Sequence, residues 1–172
     1  MKTYDMSALT MLVVDTNAFM REVLREMLDG LGVGRIVTAR SLENAWDRLS
    51  EDTRIDVVLT ELDLEQSDGV KLIHMIRSNK DQRVRMLPLL VLSSDTRIPR
   101  IMESRDAGAT EFLAKPISAE AVYKRLVQVI EKPRPFVRVG DEYFGPDRRR
   151  QMRDFIGSDR RDAPGLPSPA VA

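Results

Sequence analysis

Five short runs of mostly apolar residues, each followed by a segment with helical periodicity, constrain the fold of this chain more than any other feature. Met11 to Val14 is apolar and ends at Asp15; Phe19, Met20, Val23, Leu24, Met27, Leu28 and Leu31 then recur every three or four residues, the pattern of one buried helical face. Arg35 to Ala39 reads as a second strand after glycines at 30, 32 and 34. Ser41 is the expected N-cap of a helix over Leu42 to Leu49, with Trp46 on its apolar side. Val57 to Thr60, Leu89 to Leu92 and Phe112 to Ala114 are the remaining strands. The third helix carries Val70, Leu72, Ile73 and Ile76 behind Asp68-Gly69, and the fourth runs from Ile98 to Ala107, capped by Asp95-Thr96-Arg97 and stopped by Gly108. Ser118 caps the last, with Val122, Leu126, Val129 and Ile130. Strands that are apolar throughout are buried on both faces, which requires a parallel sheet covered by helices on either side.

The expected fold class is therefore α/β: a five-stranded doubly wound parallel sheet of the flavodoxin-like kind over residues 1–132, plus a largely irregular C-terminal tail. Beyond Lys132 the periodicity fails. Pro133, Pro135, Pro146, Pro164, Pro167 and Pro169 interrupt any long helix, and residues 163–172 are small and proline-rich, a composition expected to be disordered. Between them lies an extension, residues 133–162, whose eight basic side chains are all Arg. It contains a weak repeat, Tyr143-Phe144-Gly145-Pro146-Asp147-Arg148-Arg149 against Phe155-Ile156-Gly157-Ser158-Asp159-Arg160-Arg161.

Composition excludes several classes of function. With 27 basic and 27 acidic residues, no net field draws the whole protein to nucleic acid or membrane. The absence of cysteine removes disulfides, thiol nucleophiles and Cys-ligated zinc. The single His74, beside Ile73 and Met75, is expected at the surface and cannot form a His-rich metal cluster. No apolar stretch is long enough for a bilayer and no leader pattern opens the chain, so a cytoplasmic location is expected.

Asp15, Glu61, Ser93 and Lys115 each fall at or just past the end of a predicted strand. In an open parallel sheet that edge is where ligands collect, so two carboxylates, a hydroxyl and an ammonium converge there. Together with Val13-Val14-Asp15, Ser67-Asp68-Gly69, Pro88 to Ser93, Ala107-Gly108-Ala109 and Lys115-Pro116, these residues resemble, over about residues 9–131, the receiver domain of bacterial response regulators, including the chemotaxis (CheY-like) members. The resemblance implies a signalling protein rather than an enzyme. In that family an Asp ending strand three accepts a phosphoryl group from a kinase histidine, two acids after strand one hold Mg²⁺, and a Ser or Thr and a Lys bind the phosphoryl oxygens. By position Asp15 matches the first acid, Glu61 the acceptor, Ser93 the hydroxyl and Lys115 the ammonium. Phe112 matches the aromatic of the switch surface.

Two departures make this pocket degenerate. Thr16 stands where the second acid is expected, which removes a charge and a hard oxygen ligand; Asp15 and Glu61 remain as weak Mg²⁺ candidates, and no other metal site is expected. Glu61 extends the carboxylate by roughly 1.3 Å, and misplacement on the order of 1 Å can cost about 10²-fold in rate. Little phosphoryl transfer at position 61 is expected, with Glu61 reaching Lys115 and Ser93 instead. The alternative is a phosphoryl-accepting receiver using an atypical carboxylate, Glu61 itself or Asp63.

The extension offers planar forks at Arg148, Arg149, Arg150, Arg153, Arg160 and Arg161. Such forks suit guanine O6 and N7 and phosphate; Asp147 and Asp159 suit guanine's N1 and N2 edge, and Tyr143 or Phe155 offers a stacking face. The segment is similar to the Arg-rich extensions of CheY-like receivers that bind cyclic di-GMP and act at the flagellar motor, which implies a cyclic dinucleotide ligand and a protein partner such as the motor or a sensor kinase. A solvated charge run and a nonspecific contact with nucleic acid or protein are the competing readings. No helix-turn-helix follows the receiver, so sequence-specific nucleic-acid binding is not expected.

Overall fold

The structure is a computed structural model and describes residues 4–64, 67–140 and 143–148. The elements run β1 (Thr10–Val14), α1 (Ala18–Gly30), β2 (Arg35–Ala39), α2 (Leu42–Glu51), β3 (Val57–Glu61), β4 (Asp63–Leu64), β5 (Ser67–Asp68), α3 (Gly69–Arg77), α4 (Gln82–Arg85), β6 (Leu89–Ser93), α5 (Ile98–Ala107), β7 (Glu111–Ala114), α6 (Ala119–Glu131), β8 (Phe136–Val139) and β9 (Tyr143–Pro146). Five strands form one parallel sheet in the order β2-β1-β3-β6-β7, the flavodoxin-like arrangement.

Strand pleating divides the apolar residues between two cores. Leu12, Val14, Val58, Leu89 and Val91 face a cluster completed by Leu42, Leu49, Leu72, Ile73 and Ile76 from α2 and α3. Met11, Val13, Leu59, Leu90 and Leu92 face the opposite cluster with Leu24 and Leu28 of α1 and Val122 and Leu126 of α6. Each such side chain, fully buried, contributes about 1.5–3 kcal/mol, so both faces must be covered and the helices cannot sit on one side only. Trp46 packs half-buried against the first cluster.

Helix ends follow the capping residues in most places. Ser41 Oγ accepts from the Asn44 N–H at 3.1 Å, Ser118 Oγ from the Ala121 N–H at 3.2 Å, and Asp68 caps α3 through the Val70 N–H at 2.8 Å. The expected cap of α5 differs. Its N-cap is Arg97, which makes no side-chain cap bond, and Pro99 stands in its first turn. Asp95 instead accepts from the Arg97 N–H at 3.0 Å and pairs with the Arg97 guanidinium, because it lies two residues too early to reach the helix amides.

Within the tail, β8 pairs antiparallel with β9, a hairpin that the pattern of prolines had concealed. Four-residue strands are not stable alone. Here the hairpin is closed by its own bonds, the Tyr143 hydroxyl donating to the Pro146 carbonyl at 2.7 Å and the Asp147 N–H to the Pro135 carbonyl at 2.8 Å, and it docks on the receiver through Phe136 against Arg77 and Phe144 against Arg85. A Cβ on Gly145 would lie 3.1 Å from Gly108 Cα and 2.6 Å from Tyr143 Oη, so only glycine permits this approach. Gly108 is left-handed, with φ of 111°, and a Cβ there would meet Arg77 Cγ at 2.8 Å.

Arg77 joins these parts. It is 4% exposed and donates to the carbonyls of Gly108 at 2.9 Å, Arg85 at 2.7 Å and Leu87 at 2.8 Å, while its guanidinium lies 5.0 Å from the Phe136 ring centroid. Burial pulls its pKa down to about 9, which still leaves it protonated at neutral pH. Among the described residues no helix is long and apolar enough to cross a membrane.

Candidate functional site

The C-terminal edge of the sheet brings together the residues that the sequence placed there. Asp15 directly follows β1, β3 ends at Glu61 and β6 at Ser93, and Lys115 directly follows β7 and precedes a cis Lys115–Pro116 peptide bond. Asp15, Glu61 and Ser93 are 2%, 6% and 0% exposed. The Lys115 ammonium bonds Glu61 Oε2 and approaches Asp15 Oδ2 at 3.3 Å. Glu61 Oε1 turns back to accept the N–H groups of Leu62 at 2.7 Å and Asp63 at 3.1 Å, and Asp15 Oδ1 accepts the Asn17 N–H at 2.8 Å. Ser93 behaves differently from expectation. Its Oγ accepts the Asp95 N–H at 3.0 Å and makes no bond to Glu61, since the loop after β6 turns its first amides onto the hydroxyl.

Burial works against the Lys115 charge, but its hydrogen bond to Glu61 and the charges of Glu61 and Asp15 outweigh it, so its pKa lies above the ordinary lysine value. An ammonium held that firmly is a poor general base at neutral pH. The site is thus a fixed ion triad.

Mg²⁺, which a receiver pocket implies, does not fit this donor set. Of the four carboxylate oxygens, two take backbone amides and two face the ammonium, whereas Mg²⁺ needs hard oxygens in near-octahedral array. Thr16 is half-buried and adds no charge. Arg21, which sequence reading passed over, donates to the carbonyls of Asp15 at 2.7 Å and Thr16 at 2.9 Å, bringing a further positive group to the same rim. Among the described residues no group of three or more acidic or histidine side chains is placed to hold a metal.

A second unread residue is Arg100 of α5. Its guanidinium is bidentate to Asp68 at 2.8 and 2.9 Å and also meets Asp63 at 3.2 Å and Glu103 at 2.7 Å. These bonds raise its pKa against the opposing effect of burial. The partners Asp63 and Asp68 lie opposite each other in the β4–β5 ladder, so Arg100 ties α5 to the loop that follows Glu61. Asp63 is therefore exposed and salt-bridged rather than directed into the pocket. Replacing Arg100 with Ala is expected to raise amide exchange in α5 and residues 62–68 by about tenfold while leaving β1 and β6 protected; unchanged exchange in α5 would dismiss this tie. Phe112, on β7 beside α5, is half-buried and packed on the first core cluster.

The described tail residues Arg134 and Arg148 lie by the start of β7, the opposite end of that strand from Lys115. Arg148 lies 3.9 Å from the Tyr143 ring centroid, and its Nη1 meets Asp106 Oδ1 at 3.0 Å. Tyr143 is buried, so one face of its ring is taken by Arg148; Asp147 is half-buried beside them. Arg149, Arg150, Arg153, Asp159, Arg160 and Arg161, and the proline-rich residues 163–172, lie outside the described residues. His74 is exposed on α3.

Comparison with known proteins returns one family. The model of the response regulator receiver domain matches residues 11–127. The chain is 23% identical over 120 residues to the chemotaxis protein CheY1 of Helicobacter pylori, covering 70% of this chain and 95% of that protein. It is 22% identical to the CheY homolog of Campylobacter jejuni, with 70% and 91% covered. Among solved structures, CheY4 of Vibrio cholerae superposes with a TM-score of 0.64 at 24% identity, over 70% of this chain and 98% of that one. A response regulator receiver protein of Pseudomonas putida superposes with a TM-score of 0.61 at 31% identity, over 72% and 96%.

Proposed function

The chain belongs to the response regulator receiver domain family and is a CheY-like signalling protein; from that premise we propose that it works without the usual phosphoryl transfer, takes cyclic di-GMP on its Arg-rich extension and passes the signal to a protein partner such as the flagellar motor. The observation that carries the first part is the bond between Lys115 and Glu61. At the acceptor position stands a carboxylate whose two oxygens are both engaged, one by the ammonium that would otherwise meet phosphoryl oxygens and one by two amides. Attack on phosphorus would first require Glu61 to leave Lys115, and would proceed without a second acid for Mg²⁺.

Treating the full chain with acetyl phosphate and Mg²⁺ is expected to leave its intact mass unchanged. Restoring the family pattern with Thr16→Asp plus Glu61→Asp is expected to produce a hydroxylamine-sensitive, Mg²⁺-dependent adduct. Stoichiometric adduct on the wild type, lost in Glu61→Gln, would instead establish a working phosphoacceptor.

The ligand part is supported by the planar forks in the extension, by Arg148 lying over the Tyr143 ring, and by Asp147 beside it. Calorimetry with cyclic di-GMP is expected to give micromolar or tighter binding that Arg148→Ala plus Arg149→Ala abolishes.

A further inference from the structure

Helix α5 is held in place differently from the helices on the other face of the sheet. Its buried residues are the small Ser104 and Ala107, whereas α1 buries Leu24 and Leu28 and α6 buries Val122, Leu126 and Val129. Ile98 and Met102 of α5 are exposed, and its N-cap, Arg97, makes no side-chain bond to the first turn. With no large apolar side chain buried, packing anchors this helix weakly, and polar ties decide where it sits.

Guanidinium groups supply a tie at each end. Arg100, in the first turn, joins the helix to Asp68 and Asp63 beyond Glu61. At the other end Arg148 of the extension bonds Asp106 twice: its Nη1 meets the carboxylate Oδ1 at 3.0 Å, and its Nη2 donates to the Asp106 carbonyl at 3.4 Å. A cation on the last turn also suits the negative end of the helix dipole. The backbone reinforces this tie, because Gly145 of β9 approaches Gly108, the left-handed residue that ends α5. Tyr143 lies under the Arg148 guanidinium and restricts where the fork can turn.

We propose that Arg148 is a clamp on α5 which an anionic ligand releases: bonded to Asp106 it fixes the C-terminal end of the helix, and a ligand oxygen that takes the same N–H edge lets that end go. The clamp stands on the contacts above, while its release rests on the proposed binding of cyclic di-GMP. One N–H edge cannot serve two acceptors at full strength, so ligand and Asp106 compete, and by linkage each weakens the other by the same factor. Ile98 and Met102 stand exposed on the helix that is let go, so the surface met by a protein partner changes with it. Control then enters at the end of α5 remote from Arg100 and the loop after Glu61.

Amide exchange of the full chain, read at residues 98–107, tests the clamp, with circular dichroism as a check of folding and calorimetry of cyclic di-GMP on the same samples. Arg148→Ala is expected to speed α5 exchange about threefold, the scale of one exposed ion pair, and to leave β1 and β3 unchanged. Arg25→Ala, which removes an ion pair of similar exposure on α1, is expected to leave α5 as in the wild type. Unchanged α5 exchange in Arg148→Ala overturns the clamp. Saturating cyclic di-GMP is expected to speed α5 exchange in the wild type by a similar factor and to add nothing in Asp106→Asn, which binds the ligand with the clamp already open. Heat of binding with α5 exchange unaltered or slowed overturns the release and leaves the ligand reading intact. No heat overturns the ligand reading and the release together.

Discussion

Lys115→Met is expected to lower the unfolding free energy by about 3–5 kcal/mol, the range seen when one partner of a buried ion pair is removed and the other stays charged. Glu61 and Asp15 would then face each other, almost fully buried, without the ammonium they share. Urea denaturation measures the loss. Glu61→Gln added to Lys115→Met is expected to recover a large part of it, because one uncompensated charge goes with the carboxylate. The pH dependence has a definite sign. Since the folded-state pKa of Lys115 is raised above the ordinary 10.5, its contribution is fully present below that value and disappears as pH rises through the higher folded value. Wild type and variant therefore differ by a constant amount at neutral pH and converge in alkali. A neutral-pH loss under about 1 kcal/mol would mean that water, not protein, compensates these charges.

Arg77→Met is expected to be comparably severe, at least about 3 kcal/mol. Three carbonyls, of Gly108, Arg85 and Leu87, lose their donor, and each buried acceptor left unpaired costs about 1–3 kcal/mol. The loss is local as well as global. Phe136 loses the cation above its ring, and the hairpin loses the edge on which it docks beside Gly108. Amide exchange at residues 136–139 and 143–146 should rise well before that of β1. A stable variant with a protected hairpin would show that Gly145 and Tyr143 suffice to hold it.

The regular part of the fold was legible because its signal is local. Val57 to Thr60 reads as a strand from β-branched, apolar side chains alone, and Ile98 to Ala107 reads as a helix bounded by Gly108; the structure extends the first by one residue and matches the second. The hairpin carried no comparable signal, since its strands are four residues long and its stability comes from residues distant in the chain. Arg77 and Arg100 look like ordinary surface cations in the sequence. Their partners lie as far as 31 and 37 residues away, and only folding brings acceptor and donor together.

The candidate site divides along the same line. Strand ends, read one by one, determined that Asp15, Glu61, Ser93 and Lys115 share an edge, because in a parallel sheet every strand points the same way and delivers its last residue to the same side. Which of them bond was decided by tertiary structure. The extra methylene of Glu61 carries one oxygen onto Lys115 while the other folds back onto its own amides, and the turn after β6 claims Ser93 for Asp95. Sequence determines which groups arrive at an edge; the angstrom-scale competition among donors for each oxygen is settled only when all the strands are packed.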